Sequence, residues 1–228
     1  IKEGHPYKFL LGLTIEGHPC SGSYIGDNKI LTAYHCFSLE ESSLKKVDFK
    51  LIVPVVNKKL NLSLDSYEFI EQKYDEFHYL NGIGGKTKTP YNDIVILSID
   101  REAYNLDDFF KPIKIGSLNK NRGSSLFILG QGCFEYMYRS NDKQFRVGEF
   151  SVTYEDEHFY HSAWSVHDSP IRSGACNGDS GGPMVLQDGE EYFLVGVSSY
   201  ATIYQYEDYM PVESAESHYV KLKPEDFD

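Results

Sequence analysis

The stretch Cys176–Pro183, which reads CNGDSGGP, places three glycines around a single serine. Glycine is used where the backbone needs a positive φ or where another group must approach the main chain closely. Ser180 in such a loop is therefore either an ordinary turn residue or a nucleophile that the loop presents. Gly, Ser, Asn and Asp are all common turn formers, so the loop alone favours the turn interpretation. A histidine and a carboxylate elsewhere in the chain would favour the nucleophile.

Two further residues fit a serine nucleophile, which needs a base that is commonly a histidine held by a carboxylate. His35 ends the apolar segment ILTAYHC and adjoins a cysteine, and Asp93 in YNDIVIL directly precedes an apolar run. Alone, His35 is more simply a structural histidine and Asp93 a turn residue at the start of a strand. Together, in the order His, Asp, Ser, they favour a catalytic triad.

At 228 residues the chain has room for one large all-β domain or two small ones. It carries 34 Asp and Glu against 22 Lys and Arg, a formal charge of −12. This charge argues against a nucleic-acid partner and against anionic membranes. We predict no membrane span, because no apolar run approaches the roughly 18 residues that a spanning helix needs. The four cysteines lack CxxC spacing, which favours two disulfides and an oxidising compartment over a zinc or redox site.

Short runs rich in β-branched and aromatic residues recur between turn formers, as in Phe9–Ile15, Ile94–Ile99 and Phe193–Ser198. This pattern favours an antiparallel barrel or sandwich over alternating βαβ units. Helical periodicity is weak, and the spacing of apolar residues predicts one helix, over Asp65–Tyr79. Gly82–Pro90 is expected to form an exposed loop.

The sequence resembles the trypsin/chymotrypsin-like serine endopeptidases. The resemblance rests on CSGSYIGDNKILTAYHC, NDIVIL and CNGDSGGP, together with the IKEG start, GQG, KPIKI and LVGVSSY, and these markers fall in the family's order across almost the whole chain. It implies two six-stranded antiparallel β-barrels with the active site in the cleft between them. The N-terminal barrel is expected over residues 1–113, with the histidine and aspartate of the triad. The C-terminal barrel is expected over residues 114–228, with the serine, the oxyanion hole and the specificity pocket.

The resemblance also implies a role for each site residue. By this resemblance Ser180 is the acylated nucleophile, His35 the general base and then acid, and Asp93 the buried partner that fixes the imidazole tautomer. The backbone N–H groups of Gly178 and Ser180 are expected to form the oxyanion hole. Ser199 matches a family serine that lies beside the aspartate and whose carbonyl binds the substrate backbone.

Ile1 and Asp179 are expected to form an ion pair. In the family, an activating protease cleaves a zymogen and frees an aliphatic N-terminus, whose ammonium group pairs with the aspartate before the nucleophile. The resemblance thus implies that Ile1 is an activated terminus and that its pairing with Asp179 organises the oxyanion hole. Activity is then expected to fall at alkaline pH, as the α-amino group loses its proton.

The resemblance implies the cysteine pairing as well. Cys20 and Cys36 have the spacing of the family disulfide behind the catalytic histidine. Cys176 lacks its usual partner, and Cys133 is expected to replace it; the alternative is two free thiols. Gln131 stands where the family usually has a tryptophan.

The base of the specificity pocket lies, by the resemblance, at Gly174, followed by Ala175. Its walls are expected at Tyr200–Ala201 and roughly at Ser217–His218. No acid stands at the base, so a preference for Lys or Arg is disfavoured and an uncharged, apolar substrate side chain is predicted. The alternative is an acidic preference, in which protonated His218 pairs with a substrate Glu or Asp; otherwise His218 is a surface histidine.

Two rival functions stay open: a catalytically silent binding protein with the protease fold, and an esterase with the same triad. We predict no cofactor and no metal, since Asp65, Glu68 and Glu71 show no clear pattern of calcium-ligating oxygens. The expected partners are a protein or peptide substrate, a proteinaceous inhibitor and the activating protease of the precursor. The expected state is a monomer, secreted or held in a granule or vacuole.

Overall fold

The computed structural model describes residues 6–15, 17–37, 49–53, 58–61, 64–69, 79–82, 85–88, 93–102, 104–118, 125–132, 144–165, 174–204 and 214–227. These residues are mostly extended and form seventeen strands and three short 3-10 helices. Within these ranges no helix is both long and apolar enough to cross a membrane.

The strands occur from one end of the described chain to the other. They are β1 (Leu10–Ile15), β2 (His18–Gly26), β3 (Lys29–Thr32), β4 (Phe49–Val53), β5 (Lys58–Asn61), β6 (Leu64–Phe69), β7 (Tyr79–Gly82), β8 (Gly85–Lys88), β9 (Val95–Ile99), β10 (Lys114–Ile115), β11 (Ser125–Gly130), β12 (Arg146–Phe150), β13 (Tyr154–Glu155), β14 (Phe159–Ser165), β15 (Pro183–Asp188), β16 (Glu191–Tyr204) and β17 (Ser214–Lys221). The 3-10 helices are Tyr34–Cys36, Leu106–Asp108 and Pro224–Asp226.

The first sheet holds seven antiparallel strands in the order β5-β4-β1-β2-β3-β9-β6. A tight turn joins β2 to β3, where Asp27 and Asn28 adopt φ values of 50° and 58°. Asn and Asp tolerate this left-handed conformation better than most residues. The buried Asn28 side chain then donates to the carbonyls of Ile99 (3.1 Å) and Tyr104 (2.7 Å), which ties the turn to the end of β9.

The second sheet follows the order β12-β11-β15-β16-β17-β14-β13, with β10 pairing parallel to β16. The central strands β15, β16 and β17 carry apolar side chains that are almost fully buried: Val185, Leu194, Val197 and Val220. Two mainly antiparallel sheets, with only short 3-10 helices among the described residues, confirm the expected all-β class. The sheets have seven and eight strands where six each were expected. The division at residue 113 stays a prediction.

The two sheets share one buried apolar cluster, to which Leu13 and Leu31 contribute from the first sheet and Val185 and Val197 from the second. Backbone hydrogen bonds also link the two halves of the chain. The Ser21 N–H donates to the Ser180 carbonyl (2.8 Å). β2 therefore holds the loop over Cys176–Pro183 in place.

The helix predicted over Asp65–Tyr79 is wrong at its start, because Leu64–Phe69 is a strand that pairs with β9; residues 70–78 lie outside the described ranges. Hydrogen bonds to an apolar neighbouring strand outweigh weak helical spacing in so short a segment. The loop expected over Gly82–Pro90 is wrong in part, since Tyr79–Gly82 and Gly85–Lys88 are strands that pair antiparallel to each other.

Candidate active site

His35 lies in the 3-10 helix that directly follows β3. A disulfide joins Cys36 to Cys20 on β2, so the backbone next to His35 is fixed covalently. The His35 Nδ1 is 2.8 Å from Asp93 Oδ2, and the His35 backbone N–H donates to Asp93 Oδ1 at 2.9 Å. Both carboxylate oxygens therefore hold the same histidine, one through its ring and one through its backbone.

Asp93 is buried and precedes β9. Its φ of 52° places it in the left-handed region, which a non-glycine residue adopts at some cost. The Tyr34 N–H donates to the Asp93 carbonyl at 3.2 Å, and the Ser199 hydroxyl donates to Asp93 Oδ2. These hydrogen bonds offset the cost of burying a negative charge and hold the carboxylate in one orientation.

Ser180 completes a line of contacts, because its Oγ lies 2.8 Å from His35 Nε2. Glycine is required on its C-terminal side: Gly181 has a φ of 78°, and a Cβ there would lie 2.0 Å from Thr32 Oγ1. The Gly181 N–H donates to the Ser198 carbonyl at 2.8 Å. The glycine thus lets the loop pack against β3 and β16 while Ser180 faces His35.

The same loop turns so that two backbone N–H groups stay unused. Gly178 has a φ of 103°, and the Asp179 N–H donates back to the Cys176 carbonyl at 2.9 Å. Among the described residues, the N–H groups of Gly178 and Ser180 donate to no protein group. Two such donors beside a nucleophile are suited to bind an oxyanion.

Two buried side chains that the sequence analysis did not assign to the site support this loop. The Ser21 hydroxyl donates to the Gly178 carbonyl (2.7 Å) and accepts from the Gln131 N–H (3.1 Å). The Gln131 side-chain amide donates to the carbonyls of Leu13 (3.1 Å) and Cys20. Ser21 stands 157 residues from Gly178 in sequence, so no local pattern indicates the contact.

The carboxylate of Asp179 is held by two backbone N–H groups. The N–H groups of Cys176 (2.9 Å) and Gly132 (2.8 Å) donate to it. Burial raises the pKa of Asp179 to about 6, against the lowering effect of these hydrogen bonds and of the Arg146 charge. Ile1, its expected partner, lies outside the described residues. The carboxylate is costly to ionise in this position unless a cation reaches it.

The surroundings of His35 raise its pKa and so favour its protonated form. Burial alone lowers the pKa of His35, but the charge of Asp93 and the hydrogen bond to it outweigh burial, and the net pKa is raised. A base with a raised pKa accepts the hydroxyl proton of Ser180 more readily.

The residues expected to line the specificity pocket lie close to one another in part. The buried Ala175 donates its N–H to the Ser217 Oγ at 2.8 Å, and Ser217 itself is fully buried. Gly174 is half-buried, as are Tyr200 and Ala201. The contact between Ala175 and Ser217 joins the expected base of the pocket to one of its expected walls.

His218 is buried and not a surface histidine. Its ring stacks on Tyr200 at 3.9 Å between centroids, and its Nδ1 lies 2.8 Å from the Nδ1 of His161. Burial lowers the pKa of His218 to about 4, with a smaller lowering contribution from His161 and an opposing one from Glu216. His218 is therefore neutral at neutral pH.

Cys176 takes part in a disulfide whose partner lies outside the described residues. Cys133, the expected partner, lies outside them as well. No described cysteine is a free thiol. The pairing of Cys133 with Cys176 stays a prediction.

Comparison with known proteins extends these observations. The sequence model of the family described as Trypsin matches residues 2–215. The chain is 26% identical to melanization protease 1 of Drosophila melanogaster, over 87% of this chain and 56% of that protein. It is 28% identical to mannan-binding lectin serine protease 1 of Rattus norvegicus, over 82% of this chain and 28% of that protein. It is 24% identical to trypsin of Sarcophaga bullata, over 88% of this chain and 75% of that protein. The chain thus spans about half or less of the length of the first two.

Proposed function

The chain belongs to the trypsin family, and on this basis we propose that it is a serine endopeptidase that hydrolyses peptide bonds through an acyl-enzyme. The observation that carries the proposal is the unbroken line from Ser180 through His35 to Asp93, with 2.8 Å at each contact. A hydroxyl, an imidazole and a carboxylate in this order are the parts that acyl transfer to serine requires.

In the proposed reaction, His35 Nε2 takes the proton of Ser180 as Oγ attacks the peptide carbonyl, and then delivers it to the leaving amine. In the second half of the reaction, His35 Nε2 takes a proton from water as the water oxygen attacks the acyl-enzyme carbonyl. It then returns the proton to Ser180 Oγ as the ester bond breaks and the carboxylic acid leaves. Asp93 keeps the proton of His35 on Nδ1, which leaves Nε2 as the acceptor that faces Ser180. The Ser199 hydroxyl supports this arrangement through its hydrogen bond to Asp93.

The unused N–H groups of Gly178 and Ser180 are proposed to bind the negatively charged oxygen of the tetrahedral intermediate. Loss of one such donor typically slows the chemical step about 10²–10³-fold. Ser21 fixes the position of Gly178 through its hydrogen bond to the carbonyl of that residue. The donors are thus oriented before the substrate arrives, which is what makes them effective in the transition state.

Asp179 is proposed to pair with the ammonium group of Ile1 in the active form. The proposal fits a half-buried carboxylate whose pKa is raised to about 6 by loss of solvent, since a nearby cation would restore its ionised form. Removing one half of a buried ion pair costs about 3–5 kcal/mol. N-acetylation of Ile1 would therefore abolish most activity, and full activity of the acetylated protein would refute this pairing.

We propose an uncharged, apolar side chain at the substrate position before the cleaved bond. Gly174 and Ala175 carry no charge, and the Ser217 hydroxyl near them is already engaged by the Ala175 N–H. The acidic alternative depends on His218, whose Nδ1 faces His161 and whose ring is buried against Tyr200. These contacts weigh against a free cationic His218 that would attract a substrate carboxylate.

The proposed setting is extracellular or another oxidising compartment, which the disulfide between Cys20 and Cys36 supports. Protein or peptide chains are the proposed substrates, and a proteinaceous inhibitor and an activating protease are the proposed partners. The net charge of −12 suits a protein that acts away from anionic surfaces.

The test is digestion of a diverse peptide library by the wild-type chain and by Ser180→Ala, with cleavage sites identified by mass spectrometry. We expect cleavage by the wild type alone, after uncharged apolar residues. Cleavage after Glu or Asp would overturn the proposed specificity but keep the endopeptidase. Hydrolysis of esters without any cleaved peptide would favour the esterase, and inactivity on both would favour a binding protein.

A further inference from the structure

Three side chains with metal-binding atoms meet on the second sheet, apart from the triad. His161 on β14 and His218 on β17 stand directly opposite each other in the strand register, and both rings are buried. Their Nδ1 atoms are 2.8 Å apart, and the Oε1 of Glu216 lies 3.4 Å from the Nδ1 of His161. One ligand atom from each residue falls within 4.8 Å of the others.

The protons of this cluster can be assigned from its outer contacts. Asp156 Oδ2 lies 2.9 Å from the Nε2 of His161, so Nε2 carries a hydrogen and donates it to the carboxylate. In the neutral ring the Nδ1 of His161 then presents a lone pair toward His218. Two facing nitrogens and an adjacent carboxylate oxygen form a set that one shared cation can satisfy, either a proton or a metal ion.

We propose that the Nδ1 atoms of His161 and His218 and the carboxylate of Glu216 bind one divalent transition-metal ion, for which Zn²⁺ is the best match. Two imidazoles and a carboxylate are an established ligand set for zinc, which leaves a fourth position for water. Tetrahedral zinc with ligands at 2.0–2.1 Å needs ligand atoms about 3.3–3.4 Å apart. The distance from His161 to Glu216 already meets this, and the two Nδ1 atoms need to separate by about 0.5 Å.

The groups around the three ligands hold them in place, as the outer shell of a metal site does. The Tyr154 hydroxyl donates to Glu216 Oε1, and the Tyr154 ring stacks on His161 at 4.1 Å. Asp156 is itself fixed, because its Oδ1 accepts the backbone N–H groups of His158 (2.8 Å) and Phe159 (2.7 Å). The site would join β14 to β17 and lie beneath Tyr200, and it departs from the sequence-based expectation of no metal.

The first experiment needs no variant. Histidine side-chain nitrogens of the ¹⁵N-labelled chain are followed by NMR during titration with ZnCl₂. We expect the Nδ1 signals of His161 and His218 to shift together, with saturation at one Zn²⁺ per chain. Shifts confined to other histidines, such as His35, or no shift at all, would overturn the proposal.

The second experiment measures Zn²⁺ affinity by calorimetry for Asp156→Asn and Glu216→Gln. In Asp156→Asn the two backbone N–H donors hold the amide oxygen, so the amide N–H₂ faces His161 and favours the tautomer with the hydrogen on Nδ1. A metal at Nδ1 must then move this hydrogen to Nε2, where it faces the amide N–H₂, and binding is weakened. We expect a Kd about 10–100-fold weaker. Glu157→Gln, an exposed neighbour, serves as the matched control and should bind as the wild type does. Wild-type affinity in both site variants would refute the metal site.

Discussion

The Ser21 hydroxyl offers a direct test of how the loop over Cys176–Pro183 is held in place. It is fully buried on β2 and joins two backbone groups from distant parts of the chain, the Gly178 carbonyl (2.7 Å) and the Gln131 N–H (3.1 Å). Ser21→Ala removes both hydrogen bonds and adds no bulk. The Gly178 carbonyl and the Gln131 N–H would then be left buried without this partner.

The size of the effect follows from these two groups. A buried polar group that loses its partner costs about 1–3 kcal/mol, so with two such groups Ser21→Ala should lower the free energy of unfolding by about 2–6 kcal/mol. Gly178 also carries a proposed oxyanion donor, its own N–H group. Looser placement of this residue should reduce kcat with little change in KM, by less than the roughly 10²–10³-fold that follows complete loss of a donor.

Ser23→Ala is the matched control. Ser23 lies on the same strand and is equally buried, but its hydroxyl has no hydrogen-bond partner among the described residues. Its removal should leave the free energy of unfolding within about 1 kcal/mol of wild type or raise it. Urea unfolding and steady-state kinetics on a peptide substrate measure both variants. Equal stability of Ser21→Ala and Ser23→Ala would refute the reasoning.

Three further predictions concern the triad and the Asp179 carboxylate. Asp93→Asn should lower kcat about 10⁴-fold, because an amide N–H₂ toward His35 Nδ1 moves the histidine proton to Nε2; a kcat within tenfold of wild type, measured on the same peptide, would contradict this. The raised pKa of His35 places the rising limb of the kcat/KM profile above pH 6.5, since only neutral His35 accepts a proton, and a midpoint at or below 6.5 would count against the assignment. In Gly132→Ala, a Cβ would lie 2.2 Å from Asp179 Oδ2 and displace the carboxylate from its N–H donor. We expect the free energy of unfolding, measured in urea, to fall by about 1–3 kcal/mol. Wild-type stability would contradict this, because it would show that the carboxylate can move at no cost.

The parts of the site that lie in short contiguous motifs could be predicted from the sequence. His35 adjoins a cysteine, Asp93 opens an apolar strand, and Ser180 stands among glycines, and the structure places the three in contact. The glycines were informative because Gly178 and Gly181 have positive φ values. The all-β class followed from many short apolar runs bounded by turn formers.

Contacts between distant segments could not be predicted in this way. The hydrogen bond from Ser21 to Gly178 and the meeting of His161 with His218 depend on strand order and register, which local pattern does not determine. Strand Leu64–Phe69 escaped prediction for a related reason: its partner β9, and not its own spacing of apolar residues, decides its conformation.

Covalent labelling with a fluorophosphonate, which reacts with serine hydroxyls that a neighbouring base activates, tests most directly whether His35 activates Ser180. We expect one adduct per chain, located by mass spectrometry on Ser180. Labelling should be lost in His35→Ala, where the base that lies 2.8 Å from Ser180 Oγ is removed. An unlabelled wild type, or labelling of Ser180 that persists in His35→Ala, would contradict the claim that His35 activates Ser180.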